Sequence, residues 1–326
     1  MEYFLNPKIG CIGAGEISRF HIQAAHHVGF QLHAICGRKG SANASSLARE
    51  YGFENDVKSL EELMNSKLDA IVICAKTDQA MDLYKEVLEL NLPILIEKPV
   101  TTSAGNFLSI TDLDRNETLV GYNRRFYSSI QQLKSEIKEK SNLFSNWSIS
   151  EMAGREDSSS EIFKKVLVEN SVHIFDLMRY LHGDYEVLEV KSTNIQNGPF
   201  FAAASVKFTN QSLATINLTF GTPRNTSLEL YTESSSYLLK PIENFEKASQ
   251  IEIIEPSDAT PIRRYSPVID RSWRISGEDL DFKPGFLRQY REFMGIVHGE
   301  KRVTGASLRD AMEASKLAEF FISAGS

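Results

Sequence analysis

Short apolar runs alternate with helical periodicity through the first third of the chain. The continuous run LDAIVICA (68–75) is apolar and β-branched, which is typical of a strand buried on both faces. Further runs predict strands at residues 8–13, 31–36, 92–97 and 118–122. Apolar residues at helical spacing between them predict helices at residues 17–28, 42–52, 79–90 and 103–114. This alternation predicts βαβ units and a parallel sheet.

A glycine-rich turn joins the first predicted strand to the first predicted helix. Gly13 and Gly15 stand where a dinucleotide fingerprint needs them, and Ser18 occupies the position of its third glycine. Gly13 would allow the tight turn, and Gly15 would let the backbone approach a pyrophosphate at the helix N-terminus, where Glu16 and Ile17 follow. A glycine-rich bend without a ligand is the alternative, but the strand–turn–helix context favours a nucleotide site.

The residues after the second strand indicate which nucleotide this site would take. NAD-binding folds carry an Asp or Glu there for the ribose 2′-hydroxyl, whereas an Arg accommodates the 2′-phosphate of NADP. Here Cys36 is followed by Gly37, Arg38, Lys39, Gly40 and Ser41, with no carboxylate. The sequence therefore predicts NADP rather than NAD, although an exposed basic turn is the plain alternative.

Lys98 follows the strand at residues 92–97. The carboxyl ends of parallel strands share one edge of a sheet, so Lys98 is expected at the same edge as Gly13, Arg38 and Lys76. A lysine there can hold a hydroxyl oxygen and relay its proton, provided that burial or nearby positive charge lowers its pKa. A Lys–Pro pair in an ordinary surface turn is the alternative.

A second group of polar residues lies in a predicted helix at residues 163–184. Glu169, His173, Asp176 and Tyr180 are spaced i, i+4, i+7 and i+11, which predicts one narrow polar stripe on a largely apolar helix. Histidine carries protons near neutral pH, and a nearby carboxylate can orient it. A structural hydrogen-bond network or a solvated face would give the same pattern. A metal site fits poorly, since the sequence offers no obvious third ligand.

Composition narrows the class of protein. The chain has 326 residues, enough for two domains, and its 42% hydrophobic content is that of an ordinary globular protein. The net charge of −7 argues against nucleic-acid or anionic-membrane surfaces. Cys11, Cys36 and Cys74 lie in apolar runs and are expected to be buried free thiols in a reducing compartment. Without a recognisable signal peptide or a membrane-length apolar run, we expect a soluble cytoplasmic protein.

Together these segments resemble the glucose–fructose oxidoreductase/inositol dehydrogenase family (Gfo/Idh/MocA-like). The stretches that carry the resemblance follow the family's order along nearly the whole chain: IGAGEISRFH (12–21), SLEELMNSKLDAIVICA (59–75), ILIEKPV (94–100), GYNRRF (121–126), ENSVHIFDLMRYLHG (169–183) and residues 287–321. The glycine turn is shared by many families, whereas the Glu-Lys-Pro, Asn-Arg-Arg-Phe and Glu/His/Asp segments are specific in combination.

The resemblance implies a fold and a domain division. Residues 1–122 would form a Rossmann dinucleotide-binding domain, and a C-terminal helix at 306–326 would pack back on it. Residues 123–305 would form an α/β domain with a large, open, mostly antiparallel sheet for substrate binding and for a homodimer or homotetramer. Alternating runs that fit such a sheet lie at 187–193, 201–208, 212–220, 227–232 and 236–240.

The resemblance also assigns roles to residues. Lys98, His173 and Glu169 would act on the substrate hydroxyl, with Asp176 and Tyr180 as further substrate contacts. Asn123 and Arg124 would line the nicotinamide side of the substrate cleft. Ala75, Lys76 and Glu97 would lie on the cofactor side, and Pro99 would follow a cis peptide bond. The chain departs from the family at Ser171, where glycine is usual, and at AKTDQAM (75–81), which lacks the usual Pro and His.

The sequence thus predicts an NADP-preferring dehydrogenase or reductase acting on a sugar, sugar nucleotide, cyclitol or related polyol. One alternative of the same fold is a redox-neutral enzyme that retains its cofactor and uses transient oxidation for elimination or glycoside cleavage. Another is a non-catalytic regulator that senses NADP or a sugar. The four polar residues Lys98, Glu169, His173 and Asp176 favour an enzyme, because a sensor has no need of them.

Overall fold

In a computed structural model of the protein, the structure describes residues 6–38, 41–152, 160–193 and 201–324. The chain divides into two compact units, one of residues 1–127 and 277–319 and the other of residues 128–276 and 320–326.

The strands in chain order are β1 (Lys8–Ile12), β2 (Gln31–Cys36), β3 (Asn55–Val57), β4 (Ala70–Ile73), β5 (Ile94–Ile96), β6 (Thr118–Val120), β7 (Phe144–Glu151), β8 (Tyr185–Ser192), β9 (Phe201–Phe208), β10 (Leu213–Phe220), β11 (Ser227–Tyr231), β12 (Ser236–Leu239), β13 (Phe245–Ile254) and β14 (Arg264–Trp273). The α-helices are α1 (Glu16–His27), α2 (Ala42–Tyr51), α3 (Leu60–Met64), α4 (Thr77–Leu88), α5 (Ser128–Glu136), α6 (Ser160–Val166), α7 (Val172–His182), α8 (Glu278–Asp281), α9 (Phe286–Val297) and α10 (Leu308–Ala324).

The first unit is built on a six-stranded parallel sheet in the order β3-β2-β1-β4-β5-β6. Strands β1, β4 and β5 are almost entirely buried, as their continuous apolar sequences predict. From β1 the chain adds β2 and β3 on one side, and it then returns to add β4, β5 and β6 on the other side. The switch point of the sheet therefore lies between β1 and β4. Open α/β sheets bind ligands at such a point, beyond the carboxyl ends of the strands.

Helix α9 completes the core of this unit from a distant part of the sequence. Phe286, Tyr290 and Phe293 join the cluster that contains Ile9, Leu32 and Ile35 from β1 and β2. The aromatic rings of Phe30 and Phe293 lie 5.8 Å apart, and those of Phe30 and Tyr290 lie 6.2 Å apart in an edge-to-face arrangement. The Rossmann core therefore includes residues from both ends of the chain.

The second unit is built on an eight-stranded sheet in the order β14-β13-β12-β11-β7-β10-β9-β8. Its pairs are antiparallel except for β7 and β10, which run parallel. Alternate residues of β9 and β10 are buried, as expected for strands with one face on a core. Across the described ranges, no helix is long and apolar enough to cross a membrane.

These two sheets confirm the predicted fold class, a Rossmann-type parallel sheet followed by a large, mostly antiparallel sheet. Residues 103–114 differ from the prediction, since they contain a short 3₁₀ helix, Ala104–Ser109, in place of an α-helix. Gly105 and Asn106 are poor helix formers, and Ser103 caps the segment by accepting a hydrogen bond from the Gly105 N–H. The predicted helix at 163–184 is also interrupted, because a wide π turn, Leu167–Ser171, separates α6 from α7.

Candidate functional site

The turn after β1 has the geometry that a nucleotide-binding turn requires. Gly13 has φ +108°, and a Cβ at this position would lie 2.4 Å from the carbonyl oxygen of Cys74, so only glycine fits. A Cβ at Gly15 would meet no atom within 4 Å, which leaves open space at the N-terminus of α1. Ser18 is buried and its hydroxyl donates to the Gly13 carbonyl at 3.2 Å. The serine in the third-glycine position thus closes the turn by a hydrogen bond.

A cavity of about 460 Å³ lies against this turn, at the carboxyl ends of β1, β2 and β4. Seven of the predicted cofactor residues line it: Gly13, Gly15, Gly37, Arg38, Ser41, Ala75 and Lys76. Glu16 borders a neighbouring cavity of about 260 Å³, whereas Ile17 packs against the hydrophobic core. Lys39 lies outside the described residues. The structure therefore brings most of the predicted cofactor set together around one space.

Part of the cavity wall was not identified from the sequence. It consists of Asn43 of α2, Lys58, Ser59 and Leu60 after β3, and Gln79 and Leu83 of α4. Strand β3 has only three residues and no apolar run, so periodicity does not reveal it. One sequence signal was available here, the pattern Ser-x-x-Glu at residues 59–62, which is typical of a helix N-terminus. In the structure the Ser59 side chain caps α3 by accepting a hydrogen bond from the Glu62 N–H.

Polar and charged groups gather at the end of this cavity beside β2 and β3. A smaller cavity of about 220 Å³ adjoins it, lined among others by Arg38, Ser41, Ser45, Asp56 and Lys58. The Lys58 ammonium lies 2.6 Å from the Asp56 carboxylate, and the Ser45 hydroxyl donates to the same oxygen at 2.5 Å. These hydrogen bonds, that of Lys58 first, lower the pKa of Asp56 below its ordinary value.

A buried polar chain supports the segment that carries Lys98. His21 Nε2 lies 2.8 Å from Oε1 of Glu97, and His21 Nδ1 lies 3.0 Å from the Tyr290 hydroxyl. The other Glu97 oxygen accepts from the Lys98 backbone N–H at 2.8 Å. Burial alone would raise the pKa of Glu97, but the hydrogen bond and charge of His21, with the charge of Lys98, lower it below the ordinary value. Glu97 is therefore an anchored carboxylate at the end of β5.

Lys98 and the residues after β6 occupy the same unit. Lys98 is partly exposed, and its bond to Pro99 is a cis peptide, as the resemblance implied. Asn123 is buried, and its side-chain amide donates to the Pro284 carbonyl at 2.8 Å. Arg124 is partly exposed in the same 3₁₀ helix, Asn123–Phe126. The Asn123 contact fixes its side chain against the chain segment before α9.

In the second unit, the predicted polar stripe runs from solvent into the interior. Glu169 is exposed in the π turn, whereas only 6% of His173 and 1% of Asp176 are exposed in α7. Tyr180 is partly exposed at the other end, and its hydroxyl accepts from the Gln131 amide at 3.1 Å. The burial of His173 and Asp176, three residues apart on α7, is unlike a solvated face and is compatible with an acid–base role or with a structural hydrogen-bond network.

The π turn that precedes His173 is held by a buried carboxylate on β7. Ser171 donates to Glu151 at 2.7 Å, and the Asn170 side-chain amide donates to the other carboxylate oxygen. Both Ser171 and Glu151 are buried. The serine that replaces the family's usual glycine therefore anchors this turn, and π turns are frequent at functional sites. Within the described ranges, no group of three or more His, Cys, Asp or Glu residues is placed to hold a metal ion.

Comparison with known proteins agrees with this architecture. Residues 7–122 match the model of an oxidoreductase family with an NAD-binding Rossmann fold, GFO_IDH_MocA. The inositol 2-dehydrogenase of Rhizobium meliloti is 25% identical over 193 residues, which cover 56% of this chain and 57% of the relative. The rhizopine catabolism protein MocA of the same organism is 25% identical over 188 residues, covering 54% and 57%. The chain thus spans little more than half the length of these relatives, and the matches confirm the resemblance inferred from the sequence.

Solved structures share the fold over almost the whole chain. A levoglucosan dehydrogenase in complex with NADH has a TM-score of 0.77 and 15% identity, with 98% of this chain and 97% of that chain covered. A UDP-N-acetylglucosamine 3-dehydrogenase from Acidithiobacillus ferrooxidans has a TM-score of 0.74 and 15% identity, with 98% of each chain covered. At this level of identity the likeness concerns the fold alone.

Proposed function

Because residues 7–122 match the model of an oxidoreductase family with an NAD-binding Rossmann fold, we propose that the protein is an NAD(P)-dependent oxidoreductase that prefers NADP. Its substrate would be a sugar, sugar nucleotide, cyclitol or related polyol, oxidised or formed at a carbinol carbon. The observation that carries the proposal is the cavity at the turn of Gly13 and Gly15, which Arg38 and Lys76 also line. Relatives named inositol 2-dehydrogenase support a polyhydroxylated substrate.

The residues around the cavity fit a dinucleotide. At Gly13 a side chain would clash with the Cys74 carbonyl, and at Gly15 the space is open, which leaves room for a pyrophosphate at the N-terminus of α1. Arg38 and Ser41 offer a guanidinium fork and a hydroxyl to a 2′-phosphate. When bound, the nicotinamide supplies or accepts the hydride, and the protein's part is binding, orientation and proton transfer.

We assign the proton chemistry to the residues for which the resemblance implies this role. Lys98 would hold the substrate oxygen and exchange its proton, with its main chain anchored by Glu97. His173 would act as the acid–base partner, Glu169 would assist it, and Asp176 and Tyr180 would contact further hydroxyls. Asn123 and Arg124 would line the nicotinamide side. An alcohol loses its O–H proton as the carbinol hydride departs, so a base and a hydrogen-bond donor at the oxygen together meet the chemical need.

The nucleotide titration tests the cofactor assignment first. Purified protein, stripped of nucleotide, is titrated with NADPH and with NADH by calorimetry, together with Arg38→Ala. We expect tighter NADPH binding that Arg38→Ala weakens. Equal or NADH-preferring binding would overturn the NADP preference and leave the oxidoreductase, whereas binding of neither would overturn the nucleotide site.

Turnover tests the reaction. Protein and NADP or NAD are incubated with myo-inositol, levoglucosan and UDP-N-acetylglucosamine, and reduced cofactor is followed by its absorbance. We expect turnover with a polyol of this class, reduced by about 10²–10⁴-fold in Lys98→Ala while nucleotide affinity is kept. Product formation without net reduced cofactor would instead indicate the redox-neutral enzyme. Unchanged turnover in Lys98→Ala would contradict the assignment of Lys98.

The outer face of the second unit's sheet supports the proposal of a homodimer or homotetramer. Phe144, Phe201, Leu213 and Tyr231 are exposed on this sheet, with relative exposures of 39–45%. The Phe144 and Tyr231 rings stack with centroids 6.2 Å apart. Sedimentation equilibrium with Leu213→Asp as the disrupting variant tests this assignment, and a monomeric wild-type protein would contradict it.

The cellular setting that we propose is the cytoplasm. Cys11, Cys36 and Cys74 are buried free thiols, which suits a reducing compartment. Fractionation of cells that express the natural gene tests this location. Recovery of the protein in the fraction of an oxidising compartment would contradict the proposal.

A further inference from the structure

We propose that the ion pair of Asp56 and Lys58, at the end of β3, is a specificity element for the 2′ substituent of the cofactor's adenosine ribose. In this proposal Lys58 leaves Asp56 to join Arg38 on the 2′-phosphate of NADP, and stays with Asp56 when the ribose carries a hydroxyl. The inference rests on the proposed nucleotide site and names residues that the sequence did not single out for it.

The sheet places this pair beside the residues that the sequence did identify. Strands β2 and β3 are parallel, and Cys36 is in register with Val57. The next residues on the two strands, Gly37 and Lys58, therefore leave the sheet side by side at its carboxyl edge. Lys58 lines both the main cavity and the smaller cavity that Arg38 and Ser41 also line. Two cations from adjacent strands thus face one space.

Lys58 is suited to changing partners. Its side chain is 67% exposed, so little packing energy opposes a rotation of its flexible stem. Its backbone stays fixed, because the Lys58 N–H donates to the Glu62 carboxylate at 2.8 Å. The ammonium can therefore move while its Cα remains at the cavity edge.

Asp56 is suited to remain in place without Lys58. The Ser45 hydroxyl from α2 donates to it at 2.5 Å, and only 25% of the Asp56 side chain is exposed. The carboxylate would therefore keep a hydrogen bond after the lysine has turned away. Its charge offsets one of the two cations, which moderates the preference for a phosphate over a hydroxyl. Removing the carboxylate should strengthen phosphate binding, and removing the lysine should weaken it.

The test uses two probes that differ only in the group concerned, 2′,5′-ADP and 5′-AMP. Both are titrated by calorimetry into the full-length wild-type protein, Lys58→Ala, Asp56→Asn and the control Lys67→Ala, an exposed lysine elsewhere on the same unit. We expect Lys58→Ala to weaken 2′,5′-ADP binding about ten-fold, the effect of losing one charge-assisted hydrogen bond, and 5′-AMP binding less than two-fold. Asp56→Asn should strengthen 2′,5′-ADP binding several-fold, and Lys67→Ala should change neither.

Salt dependence supplies a second readout. The loss in Lys58→Ala should shrink as ionic strength rises, because the contact is between exposed charges. If Lys58→Ala and Asp56→Asn change the affinity for 2′,5′-ADP and for 5′-AMP equally, or change neither, the role of this ion pair in specificity is overturned. The proposed nucleotide site would remain intact. Weaker 5′-AMP binding in Asp56→Asn alone would show instead that Asp56 holds a 2′-hydroxyl. Failure of the wild-type protein to bind either NADPH or NADH would overturn the proposed function itself.

Discussion

The imidazole of His21 and the carboxylate of Glu97 form a buried pair, with Nε2 2.8 Å from Oε1, although 76 residues separate them in the sequence. His21 belongs to the helix that follows the glycine turn, and Glu97 precedes Lys98. Tyr290 of α9 completes the pair from a third element. One chain of polar contacts thus connects the helix after the glycine turn, the candidate catalytic Lys98 and the distant helix α9 within the first unit.

Tyr290→Phe is expected to destabilise this unit by about 1–3 kcal/mol, because it leaves His21 Nδ1 buried without its hydroxyl partner. Urea unfolding followed by far-UV circular dichroism measures the change. Tyr51→Phe is the matched control, since its hydroxyl accepts from Gln23 in an exposed setting and should cost less than about 0.5 kcal/mol. Equal effects of the two substitutions would show that the His21 contact contributes nothing.

The two glycines of the turn should respond differently to alanine. Gly13→Ala is expected to disrupt folding of the first unit, because its Cβ would lie 2.4 Å from a backbone carbonyl at a positive φ. Gly15→Ala should fold with unchanged stability but bind NADPH at least ten-fold more weakly, since its methyl group would fill the space left for the pyrophosphate. Thermal melts and nucleotide titrations separate the two effects. Normal NADPH binding by Gly15→Ala would contradict the placement of the pyrophosphate.

His182 should make the second unit sensitive to acid. Burial, and then the charge of Lys134, lower the pKa of His182 to about 3, against about 6.5 for an exposed histidine. The unfolded chain therefore binds one more proton than the folded chain between these pH values. The stabilisation is complete above pH ~6.5 and falls by about 1.4 kcal/mol per pH unit as the pH drops toward 3.

Tryptophan fluorescence can follow this pH dependence, because Trp147 and Trp273 both lie in the second unit. Trp147 donates to the Ser145 hydroxyl, which also contacts His182. In His182→Gln the slope of unfolding free energy between pH 4.5 and 6.5 should be shallower by about 1 kcal/mol per unit. His26→Gln, at an exposed position, should keep the wild-type slope. An unchanged slope in His182→Gln would refute the assignment.

Ser171→Ala should loosen the π turn that precedes His173. The buried Glu151 carboxylate would lose one of its donors, at a cost of about 1–3 kcal/mol. A double-mutant cycle with Glu151→Gln measures the coupling, which should exceed ~0.5 kcal/mol for groups in direct contact. Additive single effects would mean that the two side chains act independently.

The strands with a clear apolar run or a strict apolar alternation were predictable, because burial of one or both faces leaves such a pattern in the sequence. Strand β2 matches the predicted residues 31–36, and β9 matches residues 201–208. Strand β3 and helix α3 were missed, because three to five residues with few apolar positions carry no periodicity. Lys58 was missed with them, since its place at the cavity follows from the register of β2 and β3, which only the folded sheet reveals.

The buried hydrogen bonds that hold the candidate site residues in place were harder to predict than the residues that line the cavity. Gly13 and Gly15 stand in a local pattern with a physical reason, so their sequence alone indicated the turn. His21 and Tyr290 are each unremarkable in their helices, and their importance arises from a contact across 269 residues. Similarly, the role of Ser171 depends on Glu151, a residue on a strand that the sequence pattern did not identify.

The late position of α9 in the chain has a consequence for synthesis on the ribosome. Phe286, Tyr290 and Phe293 fill the core formed by β1 and β2, so the first unit cannot close its interior until these residues have left the exit tunnel. Residues 128–276, which contain all eight strands of the second unit's sheet, are translated during this delay, whereas residues 320–326 of that unit follow α9. All strands of both sheets have therefore been synthesised before the core of the first unit can be completed, so this unit cannot follow the usual N-terminal-first order of domain folding.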